Sequence, residues 1–405
     1  MTELASVVGR HGHRLWLVGG AVRDLALDRR PVDFDICSAA PPESIESWFE
    51  RTVPVGRDFG TLLISIGKLS LQHTTFRTES SYADARRPES VQWGQSLEED
   101  ASRRDFTCNA LYLDPLTDEL ADPEHGRRDL ERGLLRAVGD AGLRFREDGL
   151  RLWRLVRFAG AYGLRPEEST LEGARASRAA LRGVSPERVL VELERVFSGP
   201  GAGVSLSLLE ELELLPKALP GLEEAPWVSD RVRRLAGIPE PSLTLGLAVL
   251  YGPTALSAAA RSEALQRLDA LRVSRETRRA VAGLWELAQE LLSWPRAAAP
   301  RRSVLVRAAR RPEWSDACLY VRSLADDPSR ADAVVTWERE AAALGDAVLE
   351  CEPWIGSSDL RAAGWTPGPE WGELLREAED LQLDGVWTDR AEAQAWLRGR
   401  KRDAE

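Results

Sequence analysis

Leu17-Val-Gly-Gly-Ala-Val-Arg-Asp24, followed by Val32-Asp-Phe-Asp-Ile36, are the two stretches on which the reading of this chain turns. The first is an apolar strand running into Gly19-Gly20 and then into a helical pattern that starts near Ala21. Two glycines let the backbone approach a phosphate closely, and the following helix N-terminus offers unpaired N–H groups to an anion. In the second, Asp33 and Asp35 stand at i and i+2. On a strand that spacing puts both carboxylates on one face, with Phe34 and Ile36 toward the core, so that the two acids jointly hold divalent metal. Either stretch alone has a plain reading, as a ligand-free strand-to-helix turn or as two acids on a solvated strand face. In succession they match what nucleotidyl transfer needs: a triphosphate cradle beside a metal site that activates the attacking hydroxyl and stabilises the leaving pyrophosphate.

Around this pair the chain reads as an α/β segment. Short β-type runs (Leu15–Val18, Thr61–Ile66, Leu71–Phe76, Ala110–Leu113) alternate with glycine-containing turns over residues 14–115. After about Leu135 the strand signals fade and apolar residues recur at three and four. The remainder is helical, broken at Gly199-Pro-Gly, Pro220-Gly221, Ile238-Pro-Glu-Pro, Trp294-Pro and Trp365-Thr-Pro-Gly-Pro. A length of 405 residues sets two to four domains, and 43% apolar with 29% charged residues excludes general disorder. The uncharged stretch from Pro241 to Ala260 contains prolines and glycines and reads as buried helix and loop, so no membrane span is expected. No secretory signal is visible at the N-terminus, and a cytoplasmic location is the default. Four scattered cysteines and four histidines confined to the first third exclude a disulfide framework and a Cys/His zinc site. The net charge of −11 argues against a polyanion partner, but residues 144–165 carry six arginines against Glu147 and Asp148, a local +4.

The succession of motifs resembles the class II tRNA nucleotidyltransferase and poly(A) polymerase family. Arg103-Arg-Asp-Phe-Thr-Cys-Asn-Ala is similar to that family's Arg-Arg-Asp motif, and Asp122, Gly126 and Arg136 to the element linking head to neck. Glu147-Asp-Gly-Leu-Arg151 resembles its base-selecting Glu-Asp-x-x-Arg, Ser185-Pro-Glu-Arg188 its neck-bracing motif, and Gly356-Ser-Ser-Asp359, Pro367-Gly-Pro369 and Leu383-Asp-Gly385 its tail. The match is dense over 14–200, loose over 353–397 and nearly absent between. The resemblance implies an α+β fold: a polymerase-β-like nucleotidyltransferase head with a small mixed sheet (1–139), then an all-α neck (140–198), body (199–350) and tail (351–405). It implies Mg²⁺ as cofactor, tRNA (acceptor arm and 3′ end), CTP and ATP as partners, and completion of the 3′-terminal CCA as the activity. Asp33 and Asp35 would hold the metal, and Gly19, Gly20 and Arg23 would line the phosphate site. Arg104, Asp105 and Asn109 would fix sugar and phosphates, Asp148 and Arg151 would read the base, and Arg154 and Arg157 would extend that face toward triphosphate or primer.

Base selection has a physical rationale of its own. On a helix, Asp148 and Arg151 at i and i+3 share a face and offer an acceptor beside a fork of donors. Cytosine and adenine both present an amino donor next to a ring-nitrogen acceptor, which that pair complements; uracil and guanine present the reverse. The plain alternative is an i,i+3 salt bridge. Residues Arg77 to Pro88 resemble the family's flexible loop, which CC-adding enzymes usually lack. One departure stands out: where relatives carry a third carboxylate, this chain has Gln72 followed by His73, which reads as a sheet residue. The alternatives are an enzyme adding only A, a poly(A) polymerase, a catalytically inactive RNA-binding relative, and an Asp-x-Asp glycosyltransferase. The last leaves Arg103–Asn109 and Glu147–Arg151 without a role.

Overall fold

The structure, a computed structural model, describes residues 1–402 except 57–59, 68, 85, 86, 95, 223, 224, 254 and 325–327. Two compact units emerge: Met1–Leu243 with Ala270–Val273, and Thr244–Asp269 with Ser274–Glu405.

The first unit is built on a seven-stranded sheet. Its strands are β1 (Trp16–Val18), β2 (Asp35–Ser38), β3 (Thr52–Gly56), β4 (Thr61–Ile66), β5 (Leu69–Thr75), β8 (Tyr112–Leu113) and β9 (Leu120–Ala121), while β6 (Arg77–Asp84) and β7 (Arg87–Trp93) form a separate antiparallel hairpin. The sheet order is β3-β4-β5-β2-β1-β8-β9. Strand β2 runs parallel to β5 and antiparallel to β1, so the sheet is mixed, as expected for this fold. Trp16, Val18, Cys37, Phe76, Ala101, Ala110, Tyr112 and Val138 form a core cluster of the head. Helices α1 (Thr2–Arg10), α2 (Gly20–Ala26), α3 (Pro42–Trp48) and α4 (Leu97–Ser102) belong to the head. Gly19 caps α2 at φ +73°, in the left-handed region that favours glycine, and so turns β1 directly into the helix.

Two expectations are corrected. Strand β2 begins only at Asp35, so Asp33 lies ahead of the strand and Phe34, without a pleat to turn it inward, stays 37% exposed, whereas Ile36 is fully buried. The segment expected as a flexible loop at Arg77–Pro88 is mostly a paired hairpin, with register from Arg77↔Trp93 to Asp84↔Arg87; its residues 85 and 86, including Arg86, lie outside the described residues.

Beyond the sheet come α5 (Gly126–Glu131), α6 (Ala141–Glu147), α7 (Leu150–Tyr162), α8 (Glu168–Ala176), α9 (Pro186–Phe197) and α10 (Ala202–Glu211), with β10 (Leu134–Leu135) and β11 (Arg165–Pro166) as a short parallel pair. The Asp122/Gly126/Arg136 motif acquires a physical meaning at α5. Asp122 caps it by accepting from the N–H groups of Gly126 (2.7 Å) and Arg127 (3.0 Å). A Cβ on Gly126 would stand 2.0 Å from the Thr107 carbonyl oxygen, so only glycine lets α5 seat there. Arg136 closes the arrangement on Asp129 (3.0 Å), which also accepts from the Thr107 hydroxyl (2.8 Å).

The second unit is helical throughout its described residues, its longest helix being Arg275–Ser293. Near the C-terminus Ile355, Leu360, Ala378, Trp387, Ala393 and Leu397 form a small separate core rimmed by further tryptophans. No helix among the described residues is long and apolar enough to cross a membrane.

Candidate active site

Asp35 opens β2 between Val18 of β1 and Gln72 of β5, its Cα partners in the sheet. Partners in register point to the same face, so the amide of Gln72 stands beside Asp35, and Gln72 is exposed there. Asp33 and Asp35 are both exposed, and neither forms an ion pair or side-chain hydrogen bond among the described residues. Surrounding protein withholds enough water to push the Asp35 carboxyl up from its ordinary value. The Arg104 charge opposes that shift, the Asp33 charge adds to it and Arg154 opposes it. The two acids thus lie within reach of each other's charge and of the Arg104 and Arg154 charges, with no ion pair made to either among the described residues.

Below them lies a closed set of ion pairs. Asp100, in the first turn of α4, is fully buried and accepts from Arg103 Nε (2.8 Å), Arg104 Nη2 (2.7 Å) and the Tyr112 hydroxyl (2.8 Å). Burial alone would raise its carboxyl, but the Arg104 and Arg103 charges and these bonds overcome it and hold Asp100 far below the usual carboxylate range. Arg104 is thereby aimed along the floor of the Gly19 turn: a Cβ on Gly19 would lie 3.6 Å from its Nη1, and one on Gly20 would lie 3.5 Å from Arg23 Nη2. Asp105 accepts from its neighbour Phe106 N–H (2.9 Å), from Asn109 Nδ2 (3.0 Å) and from Arg154 Nε (2.6 Å). Against the cost of burial, the Arg154 charge and the Asn109 bond bring its carboxyl down to about 2. Asn109 in turn receives Arg23 Nη1 at 2.7 Å. The structure therefore joins Gly19, Gly20, Arg23, Arg104, Asp105, Asn109 and Arg154 into one connected floor.

The neck residues depart from the expected geometry. Asp148 is not on a helix with Arg151: it caps the end of α6 in extended conformation, while Arg151 sits in the first turn of α7. The Arg151 N–H donates to the Asp148 carbonyl (3.0 Å), but their side chains do not pair. Asp148 receives a fork from Arg188 (Nη1 3.1 Å, Nη2 2.6 Å) and the Leu150 N–H (3.0 Å). Arg151 donates to Glu147 (2.5 Å), the Arg144 carbonyl (2.8 Å) and the Arg103 carbonyl (3.0 Å). Each is fixed by its own partner, which is incompatible with a simple salt bridge between them. Arg157 pairs with the buried Glu192 at 2.6 Å, and Arg144 with Glu147 at 2.7 Å. Of the six arginines of residues 144–165, Arg154 and Arg157 pair with acids of other elements, Asp105 and Glu192, while Arg144 and Arg151 share Glu147 within the run.

The sequence reading missed Asp100, Tyr112, Arg188 as the holder of Asp148, and Tyr162, whose hydroxyl accepts from Arg23 Nη2. A signal existed for the first: Asp100 precedes Arg103 and Arg104 by three and four residues, the spacing at which helical side chains meet. The others depend on contacts between distant segments and leave no local trace.

A mixed sheet bearing an open acid pair beside a Gly-Gly strand-to-helix turn, followed by helices, defines a polymerase-β-like nucleotidyltransferase head. The model of the poly A polymerase head domain matches residues 15–136, and that described as the probable RNA and SrmB-binding site of polymerase A matches 163–225. Over these segments the chain is similar to the tRNA nucleotidyltransferase and poly(A) polymerase family. The CCA-adding enzyme of Geobacillus thermodenitrificans is 40% identical over 241 residues, 56% of this chain and 59% of that protein. The CCA-adding enzyme of Streptococcus uberis is 43% identical over 212 residues, 52% of each. The chain thus spans a little over half the length of the curated relatives it matches. Among solved structures, Bacillus stearothermophilus CCA-adding enzyme in complex with CTP aligns with a TM-score of 0.72 at 26% identity, covering 99% of this chain and 97% of that one. Thermotoga maritima CCA-adding enzyme complexed with tRNA shares the fold at a TM-score of 0.70 and 20% identity over 98% and 94%.

Proposed function

We propose that this protein is a template-independent nucleotidyltransferase that adds C and A from CTP and ATP to the 3′ end of tRNA. The observation that carries the reading is the contrast within the head: Asp33 and Asp35 are left without ion-pair partners among the described residues, beside a floor whose arginines and acids are all paired. An open carboxylate pair suits a hard cation such as Mg²⁺, which keeps several waters and binds through one or two carboxylates plus substrate phosphates. When bound, Mg²⁺ would lower the pKa of the attacking 3′-hydroxyl and offset charge on the leaving pyrophosphate. The chain's own part is positional. Gly19 and Gly20 admit the triphosphate close to the backbone at the start of α2, Arg23 and Arg104 supply positive charge beside it, and Asn109 with Asp105 and Arg154 fixes the sugar side. Asp148, held by Arg188, and Arg151, held by Glu147, present acceptor and donor to the base from two separately fixed positions. Arg157 supports α7 through Glu192.

Residues 1–139 would act as catalytic head, 140–198 as base-selecting neck, 199–350 as body and 351–405 as tail, the helical part gripping the acceptor arm by shape and backbone charge. A tRNA substrate places the enzyme in the cytoplasm. The test offers CTP and ATP separately to tRNAs lacking CCA, lacking CA and lacking A. The reading expects C on the first two in turn and A on the last. Addition of A alone would move the assignment to an A-adding enzyme, and repeated A addition to a poly(A) polymerase.

A further inference from the structure

Helix α7 reaches the Arg-Arg-Asp segment and the Gly-Gly turn from its two ends. In its first turns Arg151 donates to the Arg103 carbonyl (3.0 Å) and Arg154 to Asp105 (2.6 Å). Its last residue, Tyr162, accepts from Arg23 Nη2 through the hydroxyl while its ring lies under the same guanidinium, 4.0 Å from centroid to Cζ. Phe158, one turn earlier, adds a second aromatic face at 5.1 Å. Arg29 approaches the Tyr162 ring at 5.0 Å and donates to the Ala161 carbonyl (3.1 Å), fixing the end of α7. From Arg23 the path continues to Asn109 (2.7 Å), Asp105 (3.0 Å) and Arg154 (2.6 Å), and so returns to α7. The loop Tyr162–Arg23–Asn109–Asp105–Arg154 is closed, with two of its five members on one helix.

We infer that Tyr162 is a positioning residue for nucleotide binding, acting through Arg23 to orient Asn109. The inference rests on the nucleotidyltransferase reading above. A buried arginine has many rotamers, and a planar fork is useful only when they are reduced to one. Asp24 alone can satisfy one edge of that fork, through Nε (3.0 Å) and Nη2 (2.8 Å), but it is the adjacent residue on the same short helix and moves with Arg23. Tyr162 ties the guanidinium to a different, well-packed element. With the fork fixed, Nη1 holds the Asn109 oxygen, which fixes which way its amide faces and leaves Nδ2 on Asp105.

Tyr162→Phe removes the hydroxyl and keeps the ring over Arg23; Tyr162→Leu removes both. The readouts are equilibrium binding of ATP and of CTP in Mg²⁺ without tRNA, KM and kcat for addition to tRNA, and the thermal midpoint. Loss of a hydrogen bond to a charged group predicts weaker nucleotide binding and a higher KM, by roughly 5- to 30-fold, in Tyr162→Phe and by more in Tyr162→Leu, with kcat nearly unchanged. A merely structural tyrosine would instead lower the midpoint and the active fraction, reducing kcat at constant KM. Unchanged binding and KM in both variants, with wild type binding nucleotide, overturns the positioning role and leaves the nucleotidyltransferase reading intact. A wild type that binds neither nucleotide overturns both.

Discussion

Asp33 and Asp35 stand exposed at the start of β2, whereas Asp100 and Asp105, in the same head, are buried and gripped by arginines and by Tyr112 or Asn109. The residue type is the same and the electrostatic situation is opposite. The buried acids have their charge matched inside the protein, so their carboxyls lie below the ordinary range, and removing either leaves arginines uncompensated. The open acids form no ion pair among the described residues: loss of water raises the Asp35 carboxyl, the Arg104 charge opposes that and the Asp33 charge adds to it, so a cation is the natural complement. The comparison teaches that composition and local spacing do not separate an open acid from a structural one; the number of partners does.

The sharpest way to break this comparison is to remove one acid of each kind. Asp33→Ala or Asp35→Ala should lower nucleotide addition by roughly a thousandfold or more, since several kcal/mol of charge stabilisation is lost at the reacting phosphate, while the thermal midpoint changes little. Asp100→Ala should do the reverse in the first instance. Breaking a buried pair by removing one partner costs about 3–5 kcal/mol and should lower the midpoint by roughly 10 °C for a unit of this size. Equal stability losses in the two classes would erase the distinction.

A smaller effect tests the pair in the neck. Arg188→Ala releases Asp148 from its fork, and the account expects discrimination against UTP and GTP to weaken by about 1–3 kcal/mol, as measured by competing nucleotides in single-addition assays. Selectivity unchanged in the variant would show that Asp148 is not held for base reading.

His73 extends the comparison to pH. It sits in β5 beside Ile36 and Leu62, fully buried, with Nε2 2.8 Å from the Ser38 hydroxyl. Burial depresses its pKa from 6.5 to about 3. The unfolded chain therefore binds this proton first, so the contribution of a neutral His73 is intact above about pH 6.5 and is lost as pH falls toward 3. Denaturant melts across that window should show a stability loss of up to a few kcal/mol, reduced in His73→Val relative to wild type. The smallest effect is expected for Gln72→Glu: with the exposed amide in register beside Asp35, a third carboxylate should tighten Mg²⁺ binding several-fold, measured calorimetrically, with little change in fold. Weaker Mg²⁺ binding would remove Gln72 from the metal side of the site.

Much of the head was legible because its signals are local. The Gly19-Gly20 turn, the β-type run Thr61–Ile66 and the Asp33/Asp35 spacing are each contained within a few consecutive residues. The family resemblance extended that reading to the Arg-Arg-Asp and Glu-Asp-x-x-Arg segments. What escaped depends on geometry between distant segments. Phe34 was placed in the core because strand periodicity was extended one pleat too far, and the Asp148/Arg151 pair was placed on one helix although the chain turns at Gly149 between α6 and α7. The closure of Arg188 on Asp148 spans 40 residues and that of Tyr162 on Arg23 spans 139, distances at which no spacing rule operates. Two arginines of residues 144–165 likewise meet acids far off in the chain, Asp105 and Glu192, which no local count shows.

The central claim is that the two unpartnered acids of the head perform nucleotidyl transfer, and it is tested most directly by labelled CMP and AMP incorporation. The assay uses a tRNA lacking CCA and a tRNA ending in CC, with wild type and Asp35→Asn side by side at equal folded concentration. The account predicts addition of both nucleotides in turn by wild type and none detectable from Asp35→Asn. Addition by the variant at the wild-type rate, or no incorporation of either nucleotide by folded wild type in Mg²⁺, would contradict it.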